Sequence, residues 1–453
     1  MACSADDSAG LPSRRGATAW RSVTLIAIIV RMAQSFSRKE IGAVGHPRAP
    51  LVGLLAANYV TWFGNGITMV AVPLYVLART HSAQTAGWAG AASAVPLVIA
   101  GLGGGVLIDR RGLRQSSVLS DFAAGLFTAA VPLLDRLSML PIPYLLMLLF
   151  FRSLFNTPGN VARLGLLPEL AERAQTTKDV ANTYFRLAPR LALVLGPSAA
   201  GLLVSAVGPS ATLYIDAVTF FSSAGLVLVF VPKGNTSARQ PTKPFVSEMR
   251  EGLRFICTER AVLVMLGLLS MTNLIDEAFA PVLLPVYALT VVGDAATVGW
   301  LLAANGVGAV AGTLLYIPAR LRLGQSRFLI FVICFAIVAL SRFAMTGLPN
   351  RWFATTITFV FGLASGPLNP IISTAMQEAT PKYLRGRVFG AFSATAYSAA
   401  PLGILIAGWL VGVIGLRETF AVYGVMYVCA VTIAASSRAL RASLDQNSPA
   451  LGS

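Results

Sequence analysis

Two stretches of this chain carry the same pattern of residues, one at 73–95 and the other at 285–307. The offset between them is a constant 212 positions, and ten residues are identical in the two copies. The identities include Pro73 with Pro285, Tyr75 with Tyr287, Gly87 with Gly299 and Trp88 with Trp300. A repeat of this length predicts two halves of equivalent structure, each built from the same succession of elements.

Composition places these two halves in a membrane. The chain has 453 residues, of which 55% are hydrophobic and only 12% are charged, whereas soluble globular domains carry about 25% charged residues. Two equivalent halves in a bilayer are the architecture of transporters that work by alternating access. The cysteines Cys3, Cys257, Cys334 and Cys429 show no metal or redox spacing. Because the sequence also lacks a phosphate-binding loop and a catalytic triad, we predict no cofactor, no metal site and no enzymatic activity.

The formal net charge of +16 would indicate a nucleic-acid surface in a soluble chain. The placement of the basic residues along the chain decides between such a surface and the basic loops of a membrane protein. The two tails and five alternate turns hold 27 of the 35 basic residues. The opposite side holds only Arg79, Arg136, Arg342, Arg351 and Arg417. The positive-inside rule then predicts a multi-pass protein of the cell membrane with both termini in the cytoplasm, which contacts the lipid bilayer and no nucleic acid.

Twelve candidate spans of about 20 apolar residues each predict an all-α fold of two pseudo-symmetric six-helix bundles. The predicted regions are a basic cytoplasmic tail at 1–50, a first bundle at 51–231, a connector at 232–260, a second bundle at 261–436 and a cytoplasmic tail at 437–453. In the connector, Met249, Leu253 and Ile256 recur at the spacing of an amphipathic helix that lies on a membrane surface. For the first tail two interpretations stay open, a disordered segment and a basic membrane anchor.

The loop after the second span reads Gly105-Val-Leu-Ile-Asp109-Arg110-Arg111-Gly112-Leu-Arg114. Its glycines permit a tight turn, its acid can meet the positive end of a helix, and its arginines can bridge to acids. The pattern resembles the signature loop between the second and third helices of the major facilitator superfamily. This resemblance implies the major facilitator fold and a latch that holds the cytoplasmic side closed.

Two further segments, 156–169 and 377–388, are similar to the enterobactin-exporter and macrolide-efflux branch of that superfamily. They supply the other latch residues that we predict, which are Glu169, Glu378, Arg385 and Arg387. Leu148–Arg152 and Gly196–Gly201 resemble the antiporter motifs of the fourth and fifth helices. That branch usually carries an acid in the first helix where this chain has Asn65, which leaves the position of the proton-coupling site open.

A stripe of polar residues on the first helix predicts the face that lines the central cavity. Its members recur at spacings of three and four, and they are Asn58, Thr61 and Asn65. The offset of 212 positions carries this stripe onto the seventh helix, at Ser270, Asn273 and Glu277. Because equivalent helices of the two halves present equivalent faces to the cavity, the second stripe is also expected to face water and substrate.

We therefore predict that Glu277 is the principal carboxylate of the cavity and that Arg152 modulates its exchange of protons. The neighbouring Asp276 is expected about 100° away around the helix. The alternative is that both acids lie at a wet helix end and pair only with basic residues. Of the other embedded acids, we predict a structural role for Asp121 near the start of its helix and a hydrated cap for Asp216 near the end of its span.

These features together predict a secondary active transporter, specifically a proton-coupled exporter of a small amphipathic compound such as a drug, a siderophore or a secondary metabolite. Its partners are then the small-molecule substrate, protons and the bilayer, and we expect a monomer. An uptake or uncoupled carrier of the same fold is the first alternative. A non-transporting membrane receptor is the second alternative.

Overall fold

The computed structural model describes residues 47–233, 245–323, 326–381 and 384–445, with the side chains at 100–110, 179, 245–248, 317–323 and 386 left out of the description. The predicted tail at 1–50 therefore lies almost wholly outside the described residues. The middle of the connector and the last eight residues lie outside them as well.

Six long helices form the first half of the chain. They are α1 (Ala49–Thr80), α2 (Ala83–Arg111), α3 (Leu113–Arg136), α4 (Ile142–Arg173), α5 (Lys178–Val207) and α6 (Pro209–Phe230). The turns between them are short because glycines reverse the chain: Gly112 and Gly208 have φ values of 77° and 83°, which side chains disfavour. Within the bundle α1 packs against α5 and α6, and α3 packs against α4 and α6.

The second half repeats this succession after the connector helix α7 (Phe245–Thr258). Its helices are α8 (Arg260–Asp276), α9 (Leu284–Tyr287), α10 (Ala296–Leu323), α11 (Arg327–Met345), α12 (Arg351–Ser365), α13 (Leu368–Ala379), α14 (Arg385–Ile414), α15 (Leu416–Ser436) and α16 (Arg438–Asp445). Two π-helical turns, Phe279–Leu283 and Ala288–Val292, flank α9 and continue the span that α8 begins. Asp276 and Glu277 lie where the α-helix gives way to the first π turn, a kind of irregularity common at functional sites.

The all-α membrane class predicted from the sequence is confirmed. Ten helical segments in the described part are long and apolar enough to cross a bilayer. The helices α2 and α4 have span length, with 29 and 32 residues, but they are not among the ten. Buried polar residues lower the hydropathy of α4, and part of α2 has no side-chain description. The exact number of twelve spans stays a prediction.

Contacts between the two bundles involve the repeated glycines. Gly87 of α2 lies against Gly408 of α14, where an added Cβ would be 3.1 Å from the Gly408 Cα atom. Gly299 of α10 lies against α5, where an added Cβ would be 2.4 Å from the Pro197 carbonyl oxygen and 3.4 Å from the Gly201 Cα atom. We call this side the far end and the side that carries α7 the connector end. The two repeat copies thus make equivalent contacts at the far end.

Candidate functional site

A cavity of about 490 Å³ lies between the two bundles. The first bundle lines it with α1, α2, α4 and α5, and the second bundle lines it with the span of α8 and with α10, α11, α12 and α14. Most of the lining is apolar. The polar groups that line it and carry the chemistry are Asn65, Thr68, Arg152, Asn156, Asp276, Glu277 and Arg342.

The first bundle contributes a buried ion pair at the wall of this cavity. Arg152 of α4 donates from Nη2 to Oδ2 of Asp216 at 2.8 Å and to Oδ1 of Asn65 at 2.9 Å. Thr68 donates to the same Asp216 oxygen at 2.5 Å. The side chains of Arg152 and Asp216 are 9% and 0% exposed. A carboxylate held by charge and hydroxyl donors in this way compensates the desolvation of the buried guanidinium.

Asp216 corrects one prediction made from the sequence. It is a fully buried partner of Arg152 and not a hydrated cap. The Asp216 side chain fits against α1 because residue 64 is a glycine. An added Cβ at Gly64 would lie 2.3 Å from Oδ1 of Asp216 and 2.0 Å from Oγ1 of Thr219. Sequence position suggested an outer end for Asp216, whereas the helix packing directs its side chain into the bundle.

The second bundle also contributes an ion pair, but its arginine and its acid both lie on helices that the repeat does not make equivalent to α4 and α6. Arg342 of α11 donates from Nη2 to Oδ1 of Asp276 at 2.6 Å, and Tyr427 of α15 donates to Oδ2 of the same carboxylate. The guanidinium carbon of Arg342 lies 3.9 Å from the ring centres of both Phe279 and Phe361, in the geometry of cation–π contacts. Arg342 is therefore buried within its bundle, although it was counted with the basic residues of the side opposite the tails.

Glu277 differs from these acids. It lines the 490 Å³ cavity and two neighbouring cavities of about 560 Å³ and 400 Å³. Its side chain is exposed to them, and its carboxylate has no hydrogen bond or ion pair with any side chain in the described part of the protein. The adjacent Asp276 turns towards Arg342. Asp276 lines two of the same cavities as Glu277, so the two neighbouring acids differ in their partners rather than in the cavity that they reach.

The polar stripe on α1 is only partly in the cavity. Asn65 lines it, but Asn58 and Thr61 are fully buried between helices. Asn58 donates to the Phe185 carbonyl oxygen of α5 at 3.0 Å, and Thr61 donates to a carbonyl oxygen of its own helix at 3.0 Å. The stripe therefore continues from the cavity into the α1–α5 contact, so the prediction of cavity positions for Asn58 and Thr61 was wrong.

On α8, Asn273 lines the 400 Å³ cavity and donates to the Ala396 carbonyl oxygen of α14 at 3.1 Å. The same cavity contains a residue that the sequence interpretation missed. Arg190 of α5 lines it together with Glu277, and Arg190 has no recorded partner within the described residues. The position of Arg190 within an apolar span could have indicated this role, because an arginine there normally faces a partner or a wet cavity.

The predicted latch is only partly within the described side chains. Gly105, Asp109 and Arg110 lie in the helical end of α2, outside the described side chains. Gly112 makes the expected turn. Among the described side chains Arg114 contacts no acid: it donates to the carbonyl oxygens of Val231 and Leu228 at 2.6 and 2.7 Å, and so caps the end of α6.

The other predicted latch residues make local contacts at the connector end. Glu169 pairs with Arg173 one turn away at 3.2 Å, and Glu378 pairs with Arg327 at 2.8 Å. Arg385 donates to the carbonyl oxygens of Gln377 and Thr380 at 2.8 and 3.3 Å, which caps α13. Arg387 pairs with Glu251 of the connector helix at 2.7 Å.

A second buried pair stabilises the first bundle at this end. Asp121 of α3 and Arg163 of α4 are both fully buried and form an ion pair at 2.5 Å, and Ser223 of α6 donates to the same Asp121 oxygen at 2.6 Å. Asp121 has the structural contacts that we predicted, but its partner is an arginine and not a helix dipole. Arg163, which we counted with the basic turns, is an interior residue.

Comparison with known proteins places this geometry in context. A sequence family described as a transmembrane secretion effector matches residues 51–450. The chain is 32% identical over 405 residues to the multidrug efflux pump Tap of Mycobacterium tuberculosis, with 87% of this chain and 94% of Tap covered. It is 22% identical over 405 residues to macrolide efflux protein A of Streptococcus pyogenes, with 82% of this chain and 93% of the relative covered.

Solved structures show the same fold at low identity. The nucleoside transporter NupG superposes with a TM-score of 0.69 at 13% identity, covering 85% of this chain and 99% of NupG. A bacterial homologue of the iron transporter ferroportin in an inward-facing state superposes with a TM-score of 0.64 at 17% identity, covering 85% and 98% of the two chains.

Proposed function

This chain belongs to the transmembrane secretion effector family of the major facilitator superfamily, and on that premise we propose that it is a secondary active exporter of small amphipathic compounds driven by protons. It is a membrane transporter and not an enzyme. The relatives named as multidrug and macrolide efflux pumps support export of drug-like compounds.

The observation that supports coupling is the unpaired carboxylate of Glu277. Around the central cavity Arg152 is matched by Asp216 and Arg342 by Asp276, so each buried arginine has its own acid. Glu277 is left to bind either a proton or a cationic group that arrives in the cavity. A proton and a cationic group cannot bind the same carboxylate at once, so binding one lowers the affinity for the other. This competition is the physical basis for exchanging protons against substrate.

Arg152 modulates this exchange in our proposal. Its guanidinium contacts both Asp216 and Asn65, and Asn65 lines the cavity. Substrate that hydrogen-bonds to Asn65 competes with Arg152 for the same oxygen and thereby shifts Arg152 towards Asp216. The first bundle thus senses the occupant through Asn65, and the second bundle senses it through Glu277.

Alternating access supplies the movement in this proposal. The close contacts between Gly87 and Gly408 and between Gly201 and Gly299 close the far end, and rocking of the bundles about the cavity would open it. For the connector end we propose that Asp109 and Arg110 take part in the latch, together with the contacts of Arg387 to the connector helix.

Arg190 favours a second candidate for the substrate. Arg190 lines the 400 Å³ cavity and has no hydrogen bond or ion pair within the described residues, and such an arginine can bind a carboxylate or phosphate group. A zwitterionic compound would then contact Glu277 and Arg190 at once. Substrate profiles of Glu277→Gln and Arg190→Gln distinguish the candidates, because loss of zwitterion export in both variants supports the second one.

The test is export from a pump-deficient bacterial host with a panel of drug-like compounds, measured with and without an uncoupler. We expect export that the uncoupler abolishes, loss of that export in Glu277→Gln, and normal export in the control Glu418→Gln, which removes an exposed acid at the start of α15. Export that continues unchanged with uncoupler would instead indicate an uncoupled carrier. Normal proton-linked export by Glu277→Gln would reject the role of this carboxylate.

A further inference from the structure

The helices α2 and α14 touch at the far end and separate towards the connector end. Gly87 and Gly90 of α2 lie so close to α14 that an added Cβ would meet Gly408 Cα at 3.1 Å and a side-chain carbon of Ile404 at 2.7 Å. Beyond this contact a cavity of about 560 Å³ lies between the two helices, lined by α2, α14, Met249 of α7 and Glu277. We call this cavity the α2–α14 groove.

One face of α14 forms a smooth wall of the groove. Gly390, Ser393 and Tyr397 line it at the spacing of successive turns. Gly390 faces open space in the described part of the protein, where no atom lies within 4 Å of an added Cβ. Tyr397 on this wall is 55% exposed. Leu97 of α2, on the opposite wall, is 54% exposed. Large exposed apolar side chains on both walls favour a ligand with an apolar body.

Among the described residues that line the groove, one is charged, and its charge is negative. This residue is Glu277, whose carboxylate has no hydrogen bond or ion pair within the described part of the chain. Arg190 lines the neighbouring 400 Å³ cavity and not this groove. An apolar passage that ends at an unpaired carboxylate is complementary to a compound with an apolar body and one positive charge.

The connector helix packs against α14 beside the groove. Glu251 of α7 pairs with Arg387 of α14 at 2.7 Å. Gly252 packs so tightly that an added Cβ would lie 2.4 Å from the Arg387 carbonyl oxygen. An amphipathic helix lies in the plane of the interface, so Met249 on this helix lines the groove at the level of the adjacent leaflet. The flexible thioether of methionine adapts to ligands of different shape.

We propose that the α2–α14 groove is the entrance by which lipophilic cations pass from the membrane leaflet on the connector side to Glu277. This inference rests on the proposed exporter function and adds to it a substrate class and a route. The substrate leaves the leaflet between α2 and α14, its apolar body slides along the small residues of α14, and its charge meets the carboxylate. Lipid-phase access concentrates amphipathic compounds before they bind.

The first test fills the groove and measures export of ethidium, a lipophilic cation, by the full chain in a pump-deficient host. Gly390→Leu places a side chain in open space, so helix packing is preserved. We expect the initial rate of ethidium export to fall by about tenfold or more. The matched control is Gly412→Leu, which lies on the same helix at the far end and also has no atom within 4 Å of an added Cβ. Its rate should equal that of wild type at equal protein levels.

The outcomes separate the inference from the proposed function. Equal ethidium export by Gly390→Leu and wild type would overturn the groove as the route. Export of other panel compounds by wild type, with no export of ethidium or any lipophilic cation, would overturn the substrate class and leave the proposed function standing. A wild-type chain that exports nothing from the panel would reject the proposed function itself.

The second test identifies the side from which the groove is reached. A bimane fluorophore attached to Ser393→Cys, with the native cysteines replaced by serine, is examined in liposomes. We expect quenching by phosphatidylcholine that carries a doxyl nitroxide on its acyl chain. Quenching by aqueous iodide alone would show access from water and would overturn the membrane route, even if Gly390→Leu blocks export.

Discussion

The buried pair of Arg152 and Asp216 gives the sharpest energetic prediction. Asp216→Asn keeps the shape of the side chain and removes its charge, which leaves a guanidinium that is 9% exposed facing an amide and Asn65. Removing one partner of a buried ion pair costs about 3–5 kcal/mol of unfolding free energy. At about 2–4 °C per kcal/mol for domains of 150–250 residues, the melting temperature should fall by about 10 °C.

A comparison of variants separates charge from packing. The double variant Arg152→Gln with Asp216→Asn removes both charges, so we expect its melting temperature to be higher than that of Asp216→Asn alone. The control is Glu172→Gln, whose ion pair with Lys178 is 67% and 58% exposed and should contribute about 1 kcal/mol or less.

The assay heats purified protein in detergent and follows the monodisperse fraction by size-exclusion chromatography. Stability serves as the readout because Arg152 also lines the cavity, so a loss of transport alone would not distinguish substrate binding from folding. Two results would contradict this reasoning. One is a melting temperature of Asp216→Asn within 2 °C of wild type. The other is a decrease in the melting temperature of the double variant that equals the sum of the decreases in Asp216→Asn and Arg152→Gln, since additive effects mean that the two charges do not stabilise each other.

Three further predictions concern movement and orientation. Gly299→Ile introduces a side chain beside the Pro197 carbonyl oxygen and should favour opening of the far end, which spin labels at the far ends of α2 and α14 would report as a longer distance. Asp109→Asn should lower the transport rate, measured by the export assay, and leave membrane insertion unchanged, measured by immunoblot of the same cells. A wild-type transport rate in this variant would contradict the latch. Reporter fusions at Gly208 and Asn235 should report opposite sides of the membrane, with Asn235 cytoplasmic, and equal signals would contradict the topology.

Periodicity and the internal repeat predicted most of the fold. Long apolar segments can satisfy their backbone in a bilayer only as helices, so the class followed from composition. The repeat predicted equivalent environments, and Gly87 and Gly299 do make equivalent contacts across the two bundles. The offset also predicted that Asp276 points about 100° away from Glu277 around the helix, yet both acids line the 490 Å³ and 400 Å³ cavities and differ in that Asp276 pairs with Arg342.

The sequence alone did not predict which side chains of distant helices form ion pairs. Asp216 and Arg152 are separated by 64 positions, and nothing in their local sequence indicates that their helices bring them together. The second bundle has its arginine on α11 and its acid on α8, whereas the repeat makes α12 and α15 the equivalents of α4 and α6. An offset that aligns helices cannot reveal that both charges of a pair lie on other helices in the second copy. For the same reason the sequence did not show that Arg163 and Arg342 are buried.

The glycine contacts at the far end also have a thermodynamic consequence. There the bundles meet through main-chain and glycine atoms, so their separation exposes little apolar side-chain surface at these points. Heat-capacity changes scale with exposed apolar area, at about 0.45 cal/mol/K per Å². The equilibrium between the closed and open far end should therefore carry a small heat-capacity change at these contacts.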